Sequence, residues 1–429
     1  MENHCRNETS VNQNAPNYRF RLGVWCLLVA LMALGSYLAS PHHGTVPSHT
    51  ILHLQTHQPA VQYGGDLTIS HQSQAIQKRL KTLRLALDPK LGQSAKAVLN
   101  RVVKQGSLLS SESLNFYLNA QGAVYWDTEQ LYLETPHGDE QGLLKLLADQ
   151  IAAQHEFGGR IGFAETWKLM PQPRRILLAL IAHPRVILDP LGRSQIPHRS
   201  FSVGGRLAKT VRNVRVLALN QDGLHKSVGG TIVNGRFESK INLPTGQWTI
   251  EVVGDTSLGP IPLAQFNMGI GREPSSAFQE YKPTLRSANT EASTILFKLI
   301  NDSRTQYGLA PLSRNPRLDE IATRHTLDMI THGFVGHASP KTGNLGHRLS
   351  RLDIHPSTYG ENIARNTSIL DAHRSLMHSV SHRLNILDPD FTDLGIGIRK
   401  QDGQWFVTEL FAHLDHRIGY LGPSEHPVQ

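Results

Sequence analysis

Apolar positions recur every three to four residues in five stretches, the spacing of a helix with one buried face. In the first, Leu91, Ala95, Val98, Leu99 and Val102 follow Asp88-Pro89 and end at Gly106. Asp is a good N-cap, Pro suits the first helical position, and Gly closes a helix. The second, over 140–154, places Leu143, Leu144, Leu147 and Ile151 on one face. The third, over 291–307, turns Ile295, Leu296, Leu299 and Ile300 inward. The fourth is capped by Asn315, buries Leu318, Ile321, Ala322 and Met329, and stops at Gly333. The fifth begins near Ser368, buries Ile369, Ala372, Leu376 and Val380, and carries His382 near its end.

Elsewhere the period is two. Short alternating runs fill 200–271, separated by turns at Asp222-Gly223, Asn234-Gly235 and Thr245-Gly246. Runs of this length and spacing predict a small β-sandwich. Residues 160–164, 175–186, 391–399 and 404–413 also read as strands, the last two joined by Asp402-Gly403.

The predicted architecture is therefore α+β. A C-terminal α–β–α sandwich at 289–418 follows a β-sandwich at 200–271 and a linker at 272–288. An α/β domain at 71–195 precedes them, and 419–429 is a tail. Residues 22–40 are almost entirely apolar and uncharged, long enough to nearly match a hydrocarbon core of about 30 Å. Arg19 and Arg21 precede this segment and no Lys or Arg follows until Lys78, which puts the leader 1–21 inside and the rest outside. This reads as a single-pass anchor; a cleaved signal peptide, giving a secreted protein, is the alternative. Residues 41–70, rich in His, Pro, Thr and Gln, read as a flexible stalk.

Composition adds limits. The net charge of +8 is spread out, without a run of five Lys or Arg, and no nucleic-acid motif accompanies it. The two cysteines, Cys5 and Cys26, both fall at or before the apolar segment, so no intrachain disulfide holds the exported part together.

The chain also echoes itself. Asp88-Pro-Lys-Leu through Ala95 to Gly106 has the spacing of Asn315-Pro-Arg-Leu through Ala322 to Gly333. Gly159-Arg-Ile-Gly-Phe likewise parallels Leu394-Gly-Ile-Gly-Ile. Either 71–195 is a degenerate copy of the C-terminal fold, or two capped helices coincide. The echo lacks Gly-Glu-Asn and His-Arg-x-Asn, so a copy has lost whatever those motifs do.

Five ordered motifs mark the C-terminal module: Asn301-x-x-Arg304 leading to Gly308-Leu-Ala-Pro-Leu312, Phe334-x-x-His337-x-Ser-Pro, Gly360-Glu-Asn-Ile-Ala, His382-Arg-x-Asn-Ile-Leu and Gly395-x-Gly. Together they resemble the bacterial branch of the CAP superfamily, the SCP domains of cysteine-rich secretory, antigen 5 and pathogenesis-related 1 proteins. The resemblance implies export and a cleft of two histidines and two acids able to hold a divalent metal such as zinc. By motif, His337, His382 and Glu361 line that cleft and are its metal ligands. Two neutral imidazoles and a carboxylate suit Zn²⁺ and leave a position open. The second acid is missing: Asp353 sits between Leu352 and Ile354, leaving His347 and Glu409 as additional ligand candidates. Glu361 also has a reading as the residue that pins its own loop, and His325 as a core histidine. Arg383 and Asn385 read as fixing a helix end. A lipid, a cell-wall component or another protein suits such a cleft as ligand, with the membrane as partner of the N-terminal helix. The alternatives are a metal-dependent hydrolase and a non-catalytic structural or adhesion protein. The β-sandwich resembles prealbumin-like repeats, which serve exported proteins as spacers or adhesion modules, and offers nothing catalytic.

Overall fold

The computed structural model describes residues 50–53, 62–63, 82–136, 140–153, 159–168, 173–280 and 291–414. The expected leader, membrane segment and tail lie outside them. No helix among the described residues is long and apolar enough to cross a membrane.

The first domain runs β1 (Leu85–Leu87), α1 (Pro89–Gln105), α2 (Ser111–Ala120), β2 (Thr128–Pro136), α3 (Glu140–Ala153), β3 (Gly159–Lys168) and β4 (Arg174–Ala182). Its sheet order is β1-β3-β4-β2, with β1 parallel to β3 and the other pairs antiparallel. Strand β4 is apolar on both faces because helices cover both. Ile176, Leu178, Leu180 and Ala182 pack with α1 and α2, while Leu177, Ala179 and Ile181 pack with α3.

The second domain is the β-sandwich. One sheet contains β5 (Val186–Leu188), β6 (Phe201–Leu207), β9 (Thr231–Val233) and β10 (Arg236–Ile241). The other contains β7 (Arg212–Asn220), β8 (His225–Gly229), β11 (Gly246–Thr256) and β12 (Gly259–Ile270), with Ser194–Gln195 along the β12 edge. Val216, Phe237, Trp248, Ile250 and Phe266 fill the space between them. The sandwich thus starts earlier than its turn signals suggest. The predicted strand 175–186 is two strands, β4 and β5, in different sheets. Two pieces of the expected stalk are paired: Thr50–His53 with Ala277–Glu280, and Gln62–Tyr63 with Leu191–Gly192. Backbone pairing of this kind is not visible in the composition of a Pro- and His-rich stretch.

The third domain runs α4 (Ala292–Gln306), β13 (Ser313–Arg314), α5 (Pro316–His332), α6 (Leu345–Ser350), β14 (Thr358–Asn366), α7 (Ile369–His378), α8 (Val380–Ile386), β15 (Asp393–Gln401) and β16 (Gln404–His413). Sheet order is β13-β15-β16-β14, with β13 parallel to β15. Helices α4 and α7 cover one face around Phe411 and Val407. Helix α5 covers the other around Leu410 and Ala412.

The first and third domains share strand order, strand directions and the helix that follows the short first strand. The Asp88 side chain accepts from the amides of Lys90 and Leu91, and Asn315 does the same for Arg317 and Leu318. Both helices have 17 residues and end at a glycine with left-handed φ, 69° at Gly106 and 66° at Gly333. The Asp88 amide donates to Ile161 O at 2.8 Å, and the Asn315 amide to Leu394 O at 3.0 Å. Each acceptor precedes a glycine against which the helix lies. A Cβ on Gly162 would stand 2.2 Å from Leu91 C, and one on Gly395 2.3 Å from Leu318 C. The sequence echo is therefore the imprint of one repeated packing arrangement.

Candidate functional site

The site forms at β14, the edge strand of the third sheet. Successive side chains of a strand point to opposite faces. Glu361 lies opposite Leu410, on the α5 side, and Asn362 opposite Glu409, on the α7 side. The loop after α5 brings His337 beneath Glu361. The buried His325 ring on α5 binds Gly336 O through Nε2 at 2.9 Å and so fixes the residue before His337.

Glu361 is buried with both carboxylate oxygens engaged. His337 Nδ1 donates to Oε1 at 3.0 Å, and the buried Arg348 guanidinium of α6 pairs with Oε2. Arg348 also donates to His337 O at 2.9 Å and Gly343 O at 3.0 Å. Burial pushes the Glu361 carboxyl up, but the His337 hydrogen bond and the Arg348 charge outweigh it and hold it below the ordinary range. The expected pin of its own turn is not what Glu361 forms: residues 359–364 lie in β14, and the carboxylate oxygens pair with the His337 and Arg348 side chains instead.

His382 arrives differently from its expected place at a helix end. Ser379 breaks the predicted fifth helix, ending α7 and opening α8, with φ −71° and ψ 131°. His382 occupies the first turn of α8, and its Nδ1 bonds Ser379 Oγ at 2.7 Å. The His337 and His382 rings stack at 6.4 Å between centroids, inclined by 24°. Burial, with His337 beside it, brings the His382 imidazole down to about 3. His337 Nδ1 faces a carboxylate oxygen and His382 Nδ1 a serine hydroxyl, so neither contact uses Nε2.

Both rings and Glu361 line a cavity of about 550 Å³. The sandwich domain supplies its opposite wall through Arg215, Leu217, Val253, Gly259, Pro260 and Pro262. The Ala338 amide donates to Leu258 O at 2.9 Å. Gly259, with φ +99°, lies so close that a Cβ would stand 2.8 Å from His337 Cβ. On the other side the fully buried Glu251 of β11 accepts from Ser379 Oγ at 2.8 Å and from the amides of Val380 and Ser381 at 2.9 and 3.0 Å. Burial raises its carboxyl above the ordinary range, against the pull of these hydrogen bonds.

The structure therefore brings His337, Glu361 and His382 to one cavity. His347 on α6 is not among its lining residues. Glu409 is buried on the opposite sheet face, bonded to Asn362 Nδ2 at 3.0 Å, with burial raising it to about 8. Asp353 is exposed and pairs with His355. As placed, Glu361 offers no free oxygen, so the donors that fit a metal are the two imidazoles. Among the described residues, no three His, Cys, Asp or Glu side chains are gathered so as to hold a metal ion.

Other motif residues serve packing. Buried Arg304 donates to the carbonyls of Ala310, Ile386 and Asp388, tying the loop after α8. Arg383 donates to Tyr307 Oη at 2.6 Å, and Asn385 bridges Glu361 O and Asn362 Oδ1. Sequence reasoning missed Arg348, Ser379 and Glu251. The one available signal was Glu251 itself, an acid in an otherwise apolar strand segment, Ile250-Glu251-Val252-Val253.

Strand registers show what the repeat kept. Gly162, Leu180 and Gln130 stand in line across the first sheet as Gly395, Leu410 and Glu361 do across the third. Gln130 clamps the amide and carbonyl of Leu109, three residues past Gly106. An amide thus holds the loop at the position where the third domain has a carboxylate and a histidine.

A two-histidine cleft on the edge of a β13-β15-β16-β14 sheet, flanked by helices on both faces, defines the third domain's class. Residues 297–411 match the family model of the cysteine-rich secretory protein family, CAP, and this domain is a CAP domain. The chain is 32% identical over 109 residues to the uncharacterized protein YkwD of Bacillus subtilis, covering 25% of this chain and 42% of that protein. It is 32% identical over 126 residues to the uncharacterized membrane protein YlbC of the same organism, covering 28% and 36%. The chain thus spans less than half the length of either relative. A solved extracellular SCP-domain protein from Bacillus anthracis aligns at 19% identity and a TM-score of 0.27, over 54% of this chain and 67% of that one.

Proposed function

We propose that this is an exported, membrane-anchored CAP protein of the cell envelope that binds a ligand in the cleft between its CAP domain and its β-sandwich. The anchoring rests on the apolar segment at 22–40. The observation that carries the binding reading is the cavity of about 550 Å³, whose sandwich wall is largely apolar while its CAP floor carries His337, Glu361, His382 and Asn385. Such a lining suits an amphipathic ligand: a lipid, a cell-wall component or a segment of another protein. Two of its polar groups are poor proton acceptors at neutral pH. Glu361 is tied up as an ion pair, and His382, near 3, is too weak a base for general-base work. The first domain, built alike but with Gln130 in place of the acid, is on this reading a degenerate CAP copy kept for its packing.

A metal-dependent hydrolase is the second reading, favoured by two imidazole rings 6.4 Å apart in one cavity. Zinc would take His337 and His382 and activate water. Native mass spectrometry of the full chain extracted from its own membranes separates the two. The binding reading expects a retained small mass that Ala338→Trp, which fills the cavity, removes. Near-stoichiometric zinc lost only in His337→Ala/His382→Ala, with no retained mass, overturns it in favour of the hydrolase.

A further inference from the structure

We propose that Glu251 of the β-sandwich is a positioning residue for the CAP cleft, acting through Ser379 to fix the tautomer and orientation of His382. Resting on the cleft reading above, the inference makes the site a joint product of two domains rather than a property of the CAP domain.

The argument begins with hydrogen-bond direction. Glu251 accepts from Ser379 Oγ and from two backbone amides that can only donate, with the Ser381 side chain also bonded to it. A carboxylate is the natural acceptor for such a set. Ser379 Oγ, 2.8 Å from Glu251 Oε2, gives its single proton to that oxygen. The same Oγ stands 2.7 Å from His382 Nδ1 and 3.2 Å from Ser381 Oγ; with its proton given to Glu251 it can only accept from either. The imidazole must therefore carry its proton on Nδ1 and leave Nε2 bare. This is the outer-shell logic by which a hydrogen bond to one ring nitrogen decides the state of the other.

The placement of Glu251 supports a dedicated role. In β11, Trp248, Ile250 and Val252 face the sandwich core, so the alternation sends Glu251 outward toward α8. An outward acid would ordinarily meet water, yet this one is fully buried against the CAP domain. The two strands that hold Glu251 and Gly259 are neighbours, so one strand pair touches both histidine-bearing segments. Gly259 abuts His337 while Glu251 reaches His382. The relative placement of the stacked rings is thus set from outside the domain that carries them.

The test uses the full chain labelled with ¹⁵N-histidine, with His382 assigned by His382→Gln. Long-range ¹H–¹⁵N correlation reports which ring nitrogen is protonated. Wild type is expected to show Nδ1–H and a bare Nε2. In Ser379→Ala the acceptor is gone. In Glu251→Gln an amide can donate to Ser379 Oγ and turn the hydroxyl toward Nδ1. Both variants should lose the bare-Nε2 signal of His382 while His337, held by Glu361, keeps its own. A His382 tautomer unchanged in both variants, with lower thermal stability in Glu251→Gln, would make Glu251 a domain fastener and overturn the proposal. Should Glu251→Gln fail to fold, Ser379→Ala decides by the same criterion. The readout needs no ligand: a tautomer switch in protein that retains no small mass would sink the binding reading and leave this inference standing.

Discussion

Arg348→Met should destabilise the CAP domain severely, and more so at neutral than at acidic pH. The substitution keeps an unbranched apolar stem and removes the guanidinium. Arg348 and Glu361 have side-chain exposures of 5% and 3%, so the carboxylate left behind cannot be fully rehydrated. Removing one partner of a buried pair costs about 3–5 kcal/mol. The carbonyls of His337 and Gly343 also lose their donors, at about 1 kcal/mol each, part of which water in the open cleft returns. A total of about 4–6 kcal/mol rivals the whole stability of an ordinary domain, about 5–15 kcal/mol. Hydrogen exchange read by mass spectrometry localises the effect. Peptides from α6 and β14 should exchange roughly 10³–10⁴ times faster, at about 1.4 kcal/mol per decade. In the wild type the depressed Glu361 carboxyl stabilises above its unfolded value, and that contribution fades as pH falls through its folded value. In the variant the charge is a liability, so acidification should shrink the penalty. Arg348→Met/Glu361→Gln, which removes both charges, should recover much of the loss. A penalty below about 1 kcal/mol, or one indifferent to pH, would mean that cleft water solvates Glu361 and that the buried-pair reasoning is wrong.

Two further outcomes follow from the same packing. Glu409, raised to about 8 by burial, binds a proton in the folded state that the unfolded chain releases near 4.5. Stability should therefore fall as pH rises from about 4.5 toward 8, by up to about 1.4 kcal/mol per unit, and Glu409→Gln should flatten that slope. Equal slopes in urea titrations from pH 5 to 8 would count against a buried neutral acid. Gly162→Ala and Gly395→Ala should each push a helix off its sheet at about 1–3 kcal/mol or more, seen as local exchange in the first and third domains respectively. An effect confined to one of them would refute the shared packing.

The helices that carry most of the core were legible because their signals are local. Asp88-Pro89 and Asn315-Pro316 open helices wherever they stand, and a stripe such as Leu318, Ile321, Ala322 and Met329 has only one way to be buried. The break at Ser379 was not legible. The apolar spacing runs straight through it, and the groups that receive Ser379 and the amides after it include a carboxylate 128 residues earlier in the chain. The β5 segment was joined to β4 because both are apolar; Pro184 between them marks a break, but nothing local says which sheet each part enters. Among the site residues, His337, Glu361 and His382 stood out through their motifs. Glu409 passed as a ligand candidate because its rotation about the strand was unknown.

By itself the sequence left the echo between the first and third domains open, but it determined the elements with strong periodicity, the CAP resemblance of residues 289–418 and the three side chains that meet in its cleft. These rest on residue type and spacing over short stretches, where backbone sterics and capping leave few choices. Tertiary structure decided which acids face the cleft and which groups hold them. Strand parity across the pairing of β14 with β16 put Glu361 on one face and Glu409 on the other. The chain's return through the sandwich placed Glu251, Leu258 and Gly259 against the two histidines. Those contacts join residues about 80 to 130 positions apart, and only a folded chain brings them within reach.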